Sequence, residues 1–422
     1  MRAFSSGRIN TILGRMEDHT ANLKTSAEKE QSNIYNILTQ NTSKYTGTQE
    51  LQEEIDYLKE QLELVQKSAP KEAAPQERAL REELIAQEAA FKAYREQSSQ
   101  KIREQQRELL ELKGQIRVIC RVKPFLSKEE VVLRDRSIGL PGRGLTFGFT
   151  NVLAPAATQK ETFAEINDLI QAVVMGYRVS LLAYGPTGSG KTYTMEGSST
   201  SEGIVQRSLK LLEREVKHLL GQKWECTTKI SIQELYNDKL VGLAPEEWME
   251  VSLGAIEGLF AKASAERRTG GTECNQRSSR SHLILRVGLE LTRNATHHES
   301  ISGALCIVDL AGSERLGHSL AQGLRMKEAV EINKSLTALG DVVVAISSQA
   351  QHIPYRNSKL TQILKDTLGP GAKTAFIINV DLQDSYLNEA VVALRFAKRL
   401  QECSLGRSVI ASTQTSGRLG RM

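Results

Sequence analysis

Eight consecutive residues, 185–192, have the types and the order needed to hold a phosphate group. Their sequence, GPTGSGKT, matches the P-loop pattern G-x-x-x-x-G-K-[ST]. The glycines allow backbone N–H groups to converge on phosphate oxygens, the lysine reaches the β- and γ-phosphates, and the threonine hydroxyl ligates Mg²⁺. We therefore predict a nucleotide site formed by Gly185, Pro186, Thr187, Gly188, Ser189, Gly190, Lys191 and Thr192.

An aspartate, Asp309, follows the apolar run ALCIV at 304–308, which is typical of a buried strand. The residues before the P-loop, RVSLLAY at 178–184, read as another strand. P-loop NTPases place the acid that holds Mg²⁺, usually through water, at the end of such a strand. We therefore predict that Asp309 lies at the metal together with Thr192.

Beyond residue 114, strand-like and helix-like patterns alternate along the chain. Five apolar runs are typical of buried strands, beginning with QIRVICRVKP at 115–124. Other segments have helical spacing of apolar residues, such as TFAEINDLIQAVVMG at 162–176. This alternation predicts an α/β fold, in which a central, mostly parallel sheet carries helices on both faces.

The first part of the chain is rich in Glu, Gln, Lys, Arg and Ala and almost free of Gly. Apolar residues recur there at spacings of four, three, four and three, which is typical of a coiled coil. Pro70 and Pro75 interrupt this seam because proline removes a helix donor, and a helix with a more dilute seam resumes about Glu77. We predict a helical coiled-coil stalk and neck over 51–113, broken near 70–75; the alternative is a single solvated helix. The two seams are Leu51, Ile55, Leu58, Leu62 and Val65, and then Leu84, Phe91, Ile102, Leu109 and Leu112.

Composition bears on the cellular compartment of the protein and on the kinds of site that it can form. The 422 residues carry a formal net charge of +5, and the five cysteines are scattered without a CxxC pair. That pattern supports neither a zinc site nor a disulfide framework and indicates a reducing compartment. No apolar run is long enough to span a bilayer or to act as a secretory signal, which favours the cytoplasm. Residues 1–50 show no steady period and are unassigned, while 403–422 are predicted to form a flexible tail.

Six segments, in their order along the chain, resemble the kinesin superfamily of motors. The resemblance covers residues 114–402 and implies a P-loop NTPase of the kinesin motor type in that range. It further implies ATP and Mg²⁺ as cofactors and microtubules as the partner. The segments are RVKP at 121–124, GPTGSGKT at 185–192, NQRSSRSH at 275–282, DLAGSE at 309–314, INKSLTALG at 332–340 and HIPYRNSKLTQILKDTLG at 352–369.

By the same resemblance, four residues lie on the adenine side of the nucleotide. RVKP contributes Arg121, Lys123 and Pro124, and Tyr193 joins them from the residue after the P-loop. The family prefers arginine where this chain has Lys123. Because lysine lacks the planar guanidinium that stacks on a base, this difference is expected to lower nucleotide affinity modestly.

The segments NQRSSRSH and DLAGSE resemble the two switches that respond to the γ-phosphate. Hydrolysis there needs a positioned water and stabilisation of spreading negative charge more than covalent chemistry. Short polar side chains in the first switch would orient water and touch the γ-phosphate or the metal. The glycine of the second switch would bring its N–H close to the γ-phosphate. An Arg280–Glu314 salt bridge would close the two switches around ATP. The residues given these roles are Asn275, Ser278, Ser279 (also as a metal ligand), Arg280, Gly312 and Glu314.

Basic residues in the segments that resemble tubulin-binding elements are expected to face the acidic surface of tubulin. Contacts of this kind are sensitive to salt. No aromatic-interleaved basic groove or named nucleic-acid motif is present, so nucleic-acid binding is not predicted. The predicted microtubule-binding residues are Arg325, Lys327, His352, Arg356, Lys359 and Lys365.

The join between the helical part and the motor part resembles the neck of the C-terminal-motor kinesins, the fourteenth family, whose known members move toward microtubule minus ends. That family usually has Gly-Asn where this chain has Gly114-Gln115. The resemblance implies a minus-end-directed motor in spindle or cytoskeletal organisation. A homodimer, a heterodimer and a monomer all stay open.

Two other functions compete with a motor. A crosslinker that binds microtubules but hardly steps would commonly lose P-loop or switch residues, whereas this chain keeps Lys191, Thr192, Arg280, Asp309 and Glu314. A P-loop GTPase would typically carry an N-K-x-D loop after a strand, and no such loop is evident. The motor ATPase is therefore the leading hypothesis.

Overall fold

The structure, a computed structural model, forms two compact units, Met1–Leu112 and Lys113–Met422. The predicted seam between Leu51 and Val65, the unassigned segment 1–50 and the predicted tail 403–422 lie outside the described residues. The structure describes residues 56, 59, 74–112, 116–242, 248–269, 277–294, 298–314, 324–348 and 350–401.

One long helix, α1, occupies Ala74–Leu112 of the first unit. Pro75 lies in its first turn, where proline costs no hydrogen bond because the first N–H groups of a helix have no partner within it. Leu84, Phe91 and Ile102 of the predicted seam are half-buried, whereas Ile85 is 66% exposed. The coiled coil itself stays a prediction. Neither α1 nor any other helix in the described ranges is long and apolar enough to cross a membrane.

Strands and helices alternate through the described part of the second unit. The strands are β1 Ile116–Val122, β2 Val132–Arg134, β3 Ser137–Leu140, β4 Leu145–Gly148, β5 Asn151–Leu153, β6 Arg178–Tyr184, β7 Gly197–Ser198, β8 Ser201–Glu202, β9 Glu225–Tyr236, β10 Lys239–Gly242, β11 Met249–Glu250, β12 Ser281–Asn294, β13 His298–Asp309 and β14 Lys373–Val380. The α-helices are α2 Gln159–Ala164, α3 Asn167–Val174, α4 Lys191–Glu196, α5 Ile204–Leu220, α6 Leu253–Thr269, α7 Arg277–Arg280, α8 Leu324–Ser347, α9 Lys359–Leu364 and α10 Leu387–Gln401.

The central sheet is mixed, which corrects the prediction of a mostly parallel one. Its strand order is β10-β9-β12-β13-β6-β14-β1-β5, with β11 on β9. Strands β13, β6, β14, β1 and β5 pair in parallel, while β12, β9, β10 and β11 pair antiparallel. The reason is the short link 295–297 between β12 and β13. A parallel pair needs a crossover of about a dozen residues or more, so strands joined this closely form a hairpin.

The register brings the ends of three parallel strands together. Asp309, the last residue of β13, lies opposite Ala183 of β6, and Ile378 of β14 lies opposite Tyr184. The P-loop leaves β6 at this edge of the sheet. Ligands of α/β proteins bind outside the carboxyl ends of parallel strands, so this edge is where the predicted site residues should meet.

Both faces of the parallel half are covered. On one face, Leu182 and Tyr184 of β6 belong to a core with α8, α9 and α10, where the rings of Tyr184 and Phe396 stack at 4.1 Å between centroids. Successive strand residues point to opposite faces, so Leu181 and Ala183 face the other way. They too are fully buried, as the prediction of helices on both faces requires.

A buried ion pair fastens β1 to α3. Arg117, 4% exposed, donates two hydrogen bonds to Asp168, at 2.7 and 2.8 Å, and a third to the backbone carbonyl of Glu165 at 3.1 Å. The parallel, two-point geometry is the strong form of an arginine–carboxylate pair.

We expect Asp168→Ala to lower the free energy of unfolding by about 3–5 kcal/mol, because it leaves the Arg117 guanidinium buried without its counter-charge. Urea unfolding followed by circular dichroism measures the change. Glu165→Ala is the matched control, since it removes a neighbouring carboxylate but keeps the carbonyl that Arg117 uses. Equal losses in the two variants would contradict the assigned role of the pair.

Candidate functional site

The P-loop connects the end of β6 to the start of α4. Gly185, at the first bend, has φ +152°, a conformation that favours glycine. A Cβ atom there would lie 2.1 Å from the carbonyl oxygen of Asn379 on β14. The sequence requires glycine at this point because the loop passes directly against the neighbouring strand.

The lysine of the loop lies folded across it. Lys191 is 6% exposed, and its Nζ donates to the carbonyls of Gly185 and Pro186, each at 2.9 Å. Burial lowers the pKa of this ammonium below its ordinary value, and the nearby carboxylates of Asp309 and Glu314 oppose that shift. The structure therefore holds a positive charge inside the loop, where phosphate oxygens are predicted to bind.

The two predicted metal ligands meet. Thr192 Oγ1 donates to Asp309 Oδ2 at 2.8 Å, and Asp309 is 4% exposed. Its other oxygen, Oδ1, is buried and has no hydrogen-bond partner. A buried acceptor without a donor is costly unless a ligand or a water satisfies it. This hard oxygen beside a threonine hydroxyl fits an Mg²⁺ site.

Arg267 of α6 was not predicted as a site residue, yet it contacts Asp309 beside Thr192. Its side chain is 1% exposed, and its NH1 donates at 2.9 Å to the same Asp309 oxygen that Thr192 uses. Two more of its hydrogen bonds go to Ser281, one to Oγ and one to the carbonyl. Nothing in the sequence separates this arginine from the solvated ones around it, so only the fold reveals its role.

The second switch segment is tied to the first switch and to the P-loop. Gly312 N–H donates to the carbonyl of Ser279 at 2.8 Å, and Ser313 N–H donates to Gly185 at 3.1 Å. A Cβ on Gly312 would lie 2.2 Å from Glu314 and 2.3 Å from Thr187. This close approach explains the glycine. Its N–H contact with a γ-phosphate stays a prediction.

The predicted Arg280–Glu314 pair is not formed in this structure. Arg280 NH1 instead donates to Glu328 of α8 at 2.8 Å, and the Tyr236 hydroxyl donates to the other Glu328 oxygen. Glu314 accepts from Thr187, from its N–H at 2.9 Å and from its hydroxyl. The reason for the difference is local: Thr187 provides Glu314 with two adjacent donors, while Glu328 offers Arg280 a partly buried carboxylate.

The residues predicted on the adenine side divide into two groups. Lys123, Pro124 and Tyr193 are exposed, and Lys123 Nζ donates to Asp381 at 2.9 Å and to the Gly188 carbonyl at 3.1 Å. Lys123 thus lies against the P-loop, and the base-side roles of all three residues stay predictions.

Arg121, by contrast, is 8% exposed and lies beneath α4. It donates to Gln159 and to Thr194, each at 2.9 Å, and its guanidinium lies 5.2 Å from the Tyr193 ring centroid. In this structure its NH1 bonds acceptors of the protein, and its predicted contact with a nucleotide stays a prediction. Arg121 supports the base-side surface from below.

The predicted microtubule-binding residues are partly described. His352, Arg356, Lys359 and Lys365 are all exposed on the segment that includes α9. Arg325 and Lys327 lie in the first turn of α8, but their side chains, like that of Ser278 in α7, lie outside the described residues, as does all of Asn275. Ser279 reaches the site through its carbonyl, and its predicted metal contact is not tested.

Asn379 was also missed by the sequence analysis, although a signal for it existed. Its side-chain amide donates to Thr194 at 2.8 Å and supports the helix that follows the P-loop. It comes near the end of β14, which lies beside β6. A polar residue at the carboxyl end of an apolar run in an α/β fold marks this edge, and that rule would have found it.

We expect Arg267→Met to lower the free energy of unfolding by about 3–5 kcal/mol, because it leaves Asp309 as a buried carboxylate without its cation. Urea unfolding measures the change. The control is Lys262→Met, which removes an exposed cation from the same helix and should cost within about 0.5 kcal/mol. A small loss for both variants would mean that the buried pair contributes little.

Comparisons with known proteins agree on one family. The sequence model described as kinesin motor domain matches residues 246–403, and the one described as microtubule binding matches 95–243. Kinesin-like protein KIN-14N of Oryza sativa subsp. japonica is 35% identical over 71% of this chain, and KIN-14D of Arabidopsis thaliana is 35% identical over 74%. The matches cover 44% and 46% of those relatives, so the chain spans less than half of their length.

Solved structures agree with these relatives. The motor domain of a Kar3-like kinesin from Ashbya gossypii is 31% identical, with a TM-score of 0.59 over 68% of this chain and 100% of that one. The C-terminal motor and motor homology domain of Kar3Vik1, fused to a synthetic heterodimeric coiled coil, is 30% identical, with a TM-score of 0.67 over 82% and 99%. These matches confirm the resemblance that the motifs indicated: the chain belongs to the kinesin family and carries a kinesin motor domain.

Proposed function

We propose that this chain is a microtubule-stimulated ATPase that moves along microtubules toward their minus ends. The observation that carries the proposal is the meeting of the P-loop, both switch segments and Asp309 at one edge of the sheet, joined by direct hydrogen bonds. A protein that only binds microtubules needs none of these contacts.

In the proposed reaction, the chain's own groups bind and orient ATP. Lys191 would exchange its loop carbonyls for the β- and γ-phosphate oxygens. Thr192 Oγ and, through water, Asp309 Oδ1 would hold Mg²⁺, which supplies positive charge against the phosphates when bound. Gly312 N–H would leave Ser279 for the γ-phosphate, and the serines of the first switch would orient the attacking water. Transfer of the γ-phosphoryl to that water then depends on position and charge more than on covalent help.

Closing of the switches would exchange carboxylate partners. We infer that Arg280 leaves Glu328 for Glu314 when the γ-phosphate draws the second switch inward. Two contacts support this exchange. Glu328 accepts a hydrogen bond from Arg280 of the first switch, and Glu314 of the second switch accepts one from Thr187 of the P-loop. Because Glu328 belongs to α8, its release would report the state of the nucleotide to that helix. This is an order change of the kind that nucleotide switches use.

The exposed cations on and around α9 suit the acidic surface of tubulin. We place the microtubule contact there, on His352, Arg356, Lys359 and Lys365, with Arg325 and Lys327 of α8 beside them. The match to the microtubule-binding sequence model supports the partner, and the cytoskeleton, including the spindle, is the proposed location.

The stalk and the direction of movement rest on the N-terminal unit. We propose that α1 is part of a coiled coil that makes the motor a dimer, either with a second copy or with a different chain. The half-buried stripe that includes Leu84, Phe91 and Ile102 supports a helix partner. The neck-like join before residue 116 and the similarity to a C-terminal motor support minus-end direction.

Polymerised microtubules should raise the steady-state rate of ATP hydrolysis severalfold. Lys191→Ala should lower the stimulated kcat by at least about 100-fold, because it removes a charge that stabilises the transferring phosphate. A coupled phosphate-release assay measures both. The control is Lys128→Ala, an exposed lysine whose side chain has no part in the site. Intact microtubule binding with no stimulation would identify a tether and rule out a motor.

Surface-tethered protein should glide polarity-marked microtubules with their plus ends leading, which is the signature of minus-end stepping. Fluorescence microscopy of brightly marked ends reads the direction. Gliding with minus ends leading would reject the direction while leaving the ATPase intact. The Lys191→Ala variant controls for passive drift.

A further inference from the structure

A histidine that the mechanism above does not use lies at the centre of the switch region. His282 is the last residue of the first switch segment, 275–282, and the second residue of β12, and it is 3% exposed. Its two ring nitrogens contact two different elements. Nδ1 lies 3.1 Å from the backbone N of Ala311 in the second switch, and Nε2 lies 3.0 Å from Ser335 Oγ on α8.

The direction of each hydrogen bond follows from the chemistry of the groups. A backbone N–H can only donate, so Nδ1 must accept from Ala311. The neutral ring then carries its proton on Nε2 and donates it to Ser335 Oγ. The Ser335 hydroxyl in turn donates to the carbonyl of Ile332 at 2.7 Å. The chain from the second switch to α8 therefore has one consistent set of donors and acceptors.

The ring stays neutral under working conditions. The pKa of His282 is lowered to about 3, mainly by burial and in part by the positive charges of Arg267 and Lys191. A change in protonation would break the bond to Ala311, because a doubly protonated ring has no acceptor. Neutrality keeps the link intact.

Apolar packing and hydrogen bonds both join the second switch to α8. Leu310 and Ala311 belong to the same buried cluster as Ile332 and Leu336 of α8. A small pocket, partly open, lies beside the ring of His282 and is lined by Arg280 and Ser335 among others. The two hydrogen bonds of His282 are the directional part of this connection, because they need a donor and an acceptor at fixed positions.

We propose that His282 is a positioning residue that transmits the position of the second switch to α8. The inference rests on the proposed motor function and deepens it. Movement of Ala311 with its neighbour Gly312 would pull on Nδ1, and Nε2 would carry the displacement to Ser335. Glu328 acts on the first turns of the same helix through charge, whereas His282 acts farther along it and without charge.

Two variants cut the link at different points. Ser335→Ala keeps the ring and its bond to Ala311 but removes the acceptor on α8. His282→Asn keeps an acceptor near the position of Nδ1 but cannot reach Ser335. Ser348→Ala is the matched control, because this exposed serine also bonds a carbonyl three residues earlier but does not contact the ring.

The first readout is the ratio of microtubule-stimulated to basal ATP hydrolysis, measured beside the melting temperature of each variant. We expect each cut to lower the ratio about three- to tenfold, which corresponds to losing one hydrogen bond. The double variant should be no worse than the more affected single one, because both cuts interrupt one path. A fall in melting temperature with an unchanged ratio, or additive losses in the double variant, would show a structural role only and overturn the proposal.

The second readout does not depend on stepping. Amide hydrogen exchange in residues 328–340 is compared between ADP and the non-hydrolysable analogue AMPPNP. We expect a nucleotide-dependent difference in the wild-type chain that both cuts reduce and Ser348→Ala keeps. If the wild-type ATPase is not stimulated by microtubules, the motor function fails, and this exchange difference still decides the link. If the nucleotide-dependent exchange difference persists in both Ser335→Ala and His282→Asn, the proposed role of His282 is rejected.

Discussion

The carboxylate of Asp309 is the charge on which the nucleotide edge of the sheet depends. It lies at the end of β13 and receives hydrogen bonds from Thr192 of α4 and Arg267 of α6. A buried carboxylate is stable only when a cation and donors compensate it, so these three elements must stay together. The helix after the P-loop and the helix before the first switch are thereby fixed to one strand end. Of the two Asp309 oxygens, Oδ1 has no hydrogen-bond partner among the described residues and is available to a ligand.

The contacts of the switch segments differ from this buried ion pair, because their hydrogen-bond partners can be exchanged. Backbone hydrogen bonds join the second switch to Ser279 and Gly185, while Glu314 and Glu328 hold side-chain donors on different sides. The side chains of the Arg280–Glu328 pair are 27% and 16% exposed, against 1% and 3% for the Arg267–Asp309 pair. The site thus combines a buried ion pair, Arg267–Asp309, that keeps its geometry with switch contacts that can exchange partners at a modest cost in free energy. Such a combination suits a cycle in which the same groups must bind a phosphate and then release it.

Motifs with a mechanism were predictable from the sequence, and long-range packing was not. The P-loop and Asp309 follow from local spacing, because backbone geometry and strand ends impose the residue types. The antiparallel half of the sheet depended on the short connection at 295–297, which strand patterns alone do not weigh. Arg267 and Glu328 are single charges on helices, so only the fold distinguishes them from solvated residues. The Arg280–Glu314 pair was predicted from resemblance for switches closed around ATP and stays a prediction; in this structure Arg280 donates to Glu328, and Glu314 accepts from Thr187.

The folded position of Lys191 also determines which ligands the loop can favour. Its ammonium already has two carbonyl partners. A ligand therefore gains binding free energy from this lysine only if it attracts the ammonium more strongly than those carbonyls do. The oxygens of a di- or triphosphate do so, because they carry negative charge and attract the ammonium more strongly than a neutral carbonyl does. Adenosine offers no such group, and a monophosphate would have to reach the lysine at the expense of its base contacts. The folded lysine would therefore favour nucleotides that carry at least a diphosphate over adenosine or a monophosphate.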